Sequence, residues 1–164
     1  MRTALLNASK VTFAAFLFAT TPSIANSNAN PWVGTWSLDP SHSKYSPGPP
    51  HKSATITVTD AGNGRLTFIT DITDGTGEKD HSEFTCALDQ TECLVTAGGA
   101  KETVSIANVG TRSLKLHWKF NDPPPFFVDM LIRMSQDKRT QVAISKGKLP
   151  DGTVLAVTEV WHKT

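Results

Sequence analysis

Pro31-Trp32-Val33-Gly34-Thr35-Trp36-Ser37-Leu38-Asp39 is the stretch from which the rest of the chain can be read. It alternates, with Trp36 and Leu38 on one face, as a half-buried β-strand requires. A Trp in that place can plug one end of a barrel, and a Gly two residues earlier lets the incoming backbone pass close beneath it. On this reading the segment is the first strand of a closed barrel, and the remainder must supply a meander of further strands.

The downstream sequence does so. Pro40 to His51 is rich in proline, which cannot donate to a ladder, and reads as a long extended crossing loop with Tyr45 as its large side chain. Ala54–Thr59 alternates Ile56 and Val58 against threonines. Asp60-Ala61-Gly62-Asn63-Gly64 is a hairpin turn. Arg65–Ile72 carries Leu66 and Phe68 on one face. His81–Leu88 carries Phe84 and Cys86, Cys93–Thr96 is short and ends at Gly98-Gly99, and Glu102–Asn108 places Val104 beside Ile106. Arg112–Asn121 has the clearest pattern, with Leu114, Leu116, Trp118 and Phe120 facing one way and Lys115, His117 and Lys119 the other. Phe126–Met134 fits a strand or two helical turns. Its neighbours favour a strand with Val128, Met130, Ile132 and Met134 together, leaving a short helix near 126–134 as the alternative. Thr140–Ser145, with Val142 and Ile144, and Thr153–His162 complete about nine or ten short strands. The expected fold is all-β, a single antiparallel up-and-down barrel.

Gly34-x-Trp36 on the first strand, followed by such a meander, resembles the calycins, the lipocalins and fatty-acid-binding proteins. That resemblance implies a barrel whose interior binds a small ligand, and a segment after the first strand that covers the mouth. Two features depart from a lipocalin. The Thr-Asp-Tyr signature between later strands is absent, and Thr70-Asp71-Ile72 comes too early to replace it. A late basic residue should pack over the first-strand Trp, and only Lys163 or Arg139 is placed to do so.

Residues 1–25 read as a signal peptide: Arg2 and Lys10, an apolar run from Val11 to Ala19, then Ser23-Ile24-Ala25 with small residues at the cleavage positions. The run is about ten residues, half of the roughly twenty a permanent span needs. The domain is then 26–164, exported to the periplasm or secreted, with a polar tail over Asn26–Asn30 and no membrane span after cleavage. Cleavage removes two basic residues and no acidic one. It leaves 14 Lys and Arg against 15 Asp and Glu, and this balance argues against nucleic acid as a partner. In an oxidising compartment Cys86 and Cys93 read as a disulfide stapling a tight hairpin.

The interior would be lined by Trp36, Phe68, Leu116, Trp118, Met130 and Val157, with Tyr45 at the mouth, and would take a small apolar or aromatic molecule. The same side chains could instead be a filled core, giving a structural or envelope-interaction module. A third function is an isomerase or lyase using acid-base chemistry at the mouth. Its candidates are Tyr45, His42 and His81, with Asp129 and Glu159 because each lies within an apolar strand. His51 shares the proline-rich loop with His42. His117, between Lys115 and Lys119, reads as solvent exposed. An inward carboxylate would need a partner, Arg133, Arg139 or a ligand. No histidine spacing suggests a metal site, no Gly-x-Ser-x-Gly a nucleophile, and no glycine-rich loop a nucleotide, so no cofactor is expected.

Overall fold

A computed structural model describes residues 30–97 and 100–164. The expected signal peptide, most of the polar tail and the Gly98-Gly99 turn lie outside the described residues. Ten strands follow one another: β1 (Gly34–Ser46), β2 (Ser53–Gly62), β3 (Arg65–Thr73), β4 (Lys79–Ala87), β5 (Asp89–Ala97), β6 (Ala100–Gly110), β7 (Ser113–Phe120), β8 (Phe126–Met134), β9 (Thr140–Lys148) and β10 (Val154–Lys163). Each pairs antiparallel with its neighbour in sequence, and β1 pairs with β10, so the sheet closes into an up-and-down barrel without free edges. The 126–134 segment is strand β8, bonded to β7 and β9 along its length. A helix there would have left both neighbours with unpaired backbone groups.

β1 runs further than its sequence suggests. The segment expected to leave the sheet at Pro40 remains strand to Ser46, and its pairing to β10 resumes at Lys44↔Thr158 after a register shift between Asp39 and Lys44. The irregularity is bridged by a side chain. Ser43 Oγ donates to Asp39 O at 2.7 Å and accepts from Val160 N at 3.0 Å. Asp39 Oδ1 meanwhile accepts from the amides of Ser41 and His42. The bulge therefore leaves these polar groups of the backbone partnered, which is what lets the strand survive a proline. The crossing segment is reduced to Pro47–Lys52.

The core occupies one end. Trp36 has no exposed surface, and Leu66, Cys86, Val104, Ile106 and Leu114 are as deeply buried around it. Trp36 Nε1 donates to Trp32 O at 3.0 Å, so the indole is satisfied inside. Of the two basic candidates, Lys163 is the one over its ring, with Nζ 5.1 Å from the centroid. Gly34 has φ of 138°, and a Cβ there would fall on the Lys163 methylenes, so glycine is required for the cation to cross the strand. The disulfide between Cys86 and Cys93 is formed. Outward positions carry Lys115, His117, Lys119, Asp129 and Arg133, a polar exterior around an apolar interior. That is the reverse of a barrel that faces lipid.

Candidate functional site

Above the Trp36 layer the barrel is hollow. A cavity of about 500 Å³ opens toward the end where β1 leaves and β2 enters. It exists because of which residues face inward. β7 and β8 contribute Leu116, Trp118, Val128, Met130 and Ile132, but β9 turns its small and polar residues to the inside. Gln141, Ala143 and Ser145 are buried there, whereas Val142 and Ile144 point outward. Gly147 continues the inner row, and a Cβ on it would meet Phe127 O at 2.6 Å. Pairing of β9 to β8 and β10 fixes this phase, and a strand cannot turn over without breaking both ladders.

Aromatic rings line the lower wall. Phe68 stacks on Phe84 with centroids 4.8 Å apart, and Phe84 meets Trp118 edge-on at 5.5 Å. At the mouth, Phe120 stacks on Phe126 at 4.3 Å. Pro47, Pro49 and His51 lie across part of the opening. The cover is held by Lys52 N donating to Thr73 O at 2.8 Å, and by Pro49 seated on Gly75, where a Cβ would fall 2.5 Å from the proline ring.

Two polar groups are built into the wall. On β1 and β10, the Tyr45 hydroxyl donates to Glu159 Oε1 at 2.7 Å, and His51 Nε2 stands 4.0 Å from the same oxygen. The Tyr45 and His51 rings meet edge to face at 5.1 Å. The Glu159 side chain retains 12% of its exposure. Burial, and then the neighbouring carboxylate, push the Tyr45 phenol far above its ordinary value, so it remains a donor. His51 Nδ1 is buried without a hydrogen-bond partner among the described residues. Across the barrel, Trp118 Nε1 donates to Glu102 Oε2 at 2.7 Å. Burial raises the Glu102 carboxyl above its ordinary range, against the lowering effect of that indole bond.

The residues expected from the sequence separate into those that line this space and those that do not. Tyr45, Phe68, Leu116, Trp118, Met130, Val157 and Glu159 line it. Trp36 does not: it lies below, as the floor of the packed end. His42, His81 and Asp129 are on the outside, each hydrogen-bonded there, with Asp39, Asp71 and His117 respectively. An outward carboxylate beside a histidine needs no interior partner. The partners of inward Glu159 are Tyr45 and His51 rather than Arg133 or Arg139. Lining residues not expected from the sequence include Phe84, Asp80, Glu102, Gln141 and Ser145. Glu102 was detectable, since it shares the phase of Val104 and Ile106. Among the described residues no group of three metal-binding side chains is assembled.

No protein family model and no curated protein matches the chain. Solved structures do share its fold. The structure of EF1p2_mFAP2b bound to DFHBI matches with a TM-score of 0.53 at 10% identity, covering 83% of this chain and 96% of that one. A redesigned β-barrel, mFAP1, bound to DFHBI matches with a TM-score of 0.51 at 10% identity, covering 81% and 95%. An asparagine-to-alanine mutant of the fluorescent protein UnaG matches with a TM-score of 0.50 at 12% identity, covering 82% and 96%. The fold is calycin-like, in line with the resemblance carried by Gly34-x-Trp36.

Proposed function

We propose that this protein is an exported binding protein that holds a small apolar or aromatic molecule within its barrel and releases it unchanged. The observation that carries this reading is the cavity of about 500 Å³ walled by Phe68, Phe84, Leu116, Trp118 and Met130. Ligand pockets commonly fall between about 300 and 1,000 Å³ with mostly apolar walls and a few placed polar groups. A filled structural module would have spent those side chains on contact with one another. Two of the barrels with this fold hold DFHBI, an aromatic ligand, which supports the same use of the interior.

The test is a titration with a neutral aromatic probe, 1-naphthalenemethanol, followed by tryptophan fluorescence. Saturable binding of one molecule per chain is expected, and Ser145→Phe, which fills the cavity from β9, should abolish it while the melting temperature holds. Binding that survives Ser145→Phe would place the ligand elsewhere, and no binding across a panel of such probes would sink the reading. Export is tested by sequencing the protein recovered outside the cytoplasm, whose first residue should be Asn26.

One observation favours the acid-base enzyme as a second reading: Tyr45, Glu159 and His51 converge on the cavity wall. Mass and NMR spectra of ligand recovered after incubation separate the two, because an isomerase or lyase returns an altered molecule.

A further inference from the structure

The charge on the cavity wall names a ligand class. Among the described residues its ionisable lining groups are Glu159, Glu102, Asp80, Tyr45 and His51, with no lysine or arginine. At the rim, Lys79 borders an adjoining hollow that it shares with Asp74, Glu78 and Asp80. The internal donors that meet the two inner carboxylates are the Tyr45 hydroxyl and the Trp118 indole, each directed to one oxygen. A carboxylate can accept several hydrogen bonds, so both groups keep acceptor capacity toward the cavity. Glu159 on β10 and Glu102 on β6 stand on opposite walls of the ring.

A second, independent feature also points to an occupant. His51, which lines the same cavity, has a buried Nδ1 without a hydrogen-bond partner among the described residues, and Gln141 and Ser145, 8% and 6% exposed, line that cavity too. Buried polar atoms are ordinarily satisfied. Here all three side chains border the hollow.

We infer that the barrel is built for an apolar or aromatic molecule bearing a protonated amine or comparable cationic donor, and against fatty-acid-like anions. The inference rests on the proposed binding function and specifies its chemistry. An anion entering this cavity would meet Glu159, Glu102 and Asp80, with His51, already beside Glu159, as the one lining group among the described residues that could carry positive charge, an arrangement that is unfavourable away from water. A cation would meet Glu159 or Glu102 in charge-assisted contact, within an aromatic wall.

The experiment uses three probes of one shape: 1-naphthylmethylammonium, 1-naphthalenemethanol and 1-naphthoate, titrated at pH 7 into the intact protein and into the Glu102→Gln/Glu159→Gln variant. Glutamine keeps an oxygen for Tyr45 and for Trp118, so the wall should remain assembled; the variant's melting curve checks this. The ammonium is expected to bind about ten-fold or more tighter than the alcohol, the strength typical of a charge-assisted hydrogen bond, with the carboxylate weakest. In the variant that preference should vanish. Equal affinity for ammonium and alcohol, or tighter carboxylate binding, would overturn this inference and leave the binding function standing. A preference that persists in the variant would also overturn it, since the charge would then lie elsewhere. Failure of all three probes would overturn both.

Discussion

Gly34 carries no side chain because Lys163 occupies the space where one would stand. The lysine stem crosses the strand to set its ammonium over Trp36, and its Nζ also reaches Pro31 O at 3.4 Å. The two residues contribute differently. Lys163→Met removes a cation above an aromatic ring and should cost about 0.5–1 kcal/mol. Gly34→Ala forces a Cβ into a left-handed backbone position and against the lysine stem, and should cost more, about 1–3 kcal/mol. Urea unfolding measures both, and an alanine variant as stable as its parent would contradict the account. At this scale the sequence told which way a side chain points better than how deep it sits. Trp36 was legible as an inward residue, but alternation has no coordinate along the barrel axis, so floor and cavity wall could not be separated. The two carboxylates in apolar strands were decidable by phase. Asp129 is out of step with Val128 and Met130, whereas Glu159 is in step with Val157 and Trp161.

Among the elements, the β4–β5 hairpin depends most on a covalent link. Its described ladder pairs are Ser82↔Ala97 and Glu83↔Thr96, toward the mouth, and Cys86 lies directly across from Cys93 further down the same register. The disulfide holds the hairpin where the ladder has lapsed. Replacing both cysteines with serine should lower stability by about 2 kcal/mol, the loss expected on releasing so short a loop. Amide exchange should rise in β4 and β5 before it rises in β7 or β8. Uniform exchange across the barrel would argue that the bond merely decorates an already rigid hairpin. β9 shows the limit of reading an element alone. Val142 and Ile144 mark the strand by their alternation, but which face turns inward is fixed by its pairing with β8 and β10. The extension of β1 escapes such a reading for another reason. Ser43 performs as a side chain what a backbone group would do elsewhere, and no periodicity signals that.

The molecule as a whole should be sensitive to acid. Asp39 is held well below its ordinary value of 3.8 chiefly by the Ser41 hydroxyl and then by His42. Asp74, Asp89, Asp137 and Asp151 are lowered by hydroxyl and amide donors of their own turns. A carboxylate whose folded value is depressed stabilises the fold above its unfolded value and ceases to as pH falls toward the folded one. Glu102 is opposite in sign: its raised value means that ionisation at neutral pH strains the fold, and acid relieves it. The lowered aspartates outnumber it. His81, raised chiefly by its hydrogen bond to Asp71, adds stability as pH falls from 7, so the melting temperature should hold or rise slightly between pH 7 and 5 and fall below about pH 4. Glu102→Gln should melt higher than the parent at pH 7, and that advantage should shrink by pH 3. A melting temperature unchanged at pH 3 would contradict the turn assignments. The global plan was legible in the sequence because ten strands with regular turns admit few arrangements; the vacancy inside was not, since it depends on small residues of one strand facing large ones of another. The pairing of β1 with β10 has a last implication, for the order of assembly. A polypeptide delivered amino end first exposes the free edge of β1 while β2 to β9 are made, and finds the partner for that edge only when β10 emerges. Until then it is a curled ribbon with two sticky borders, in need of escort.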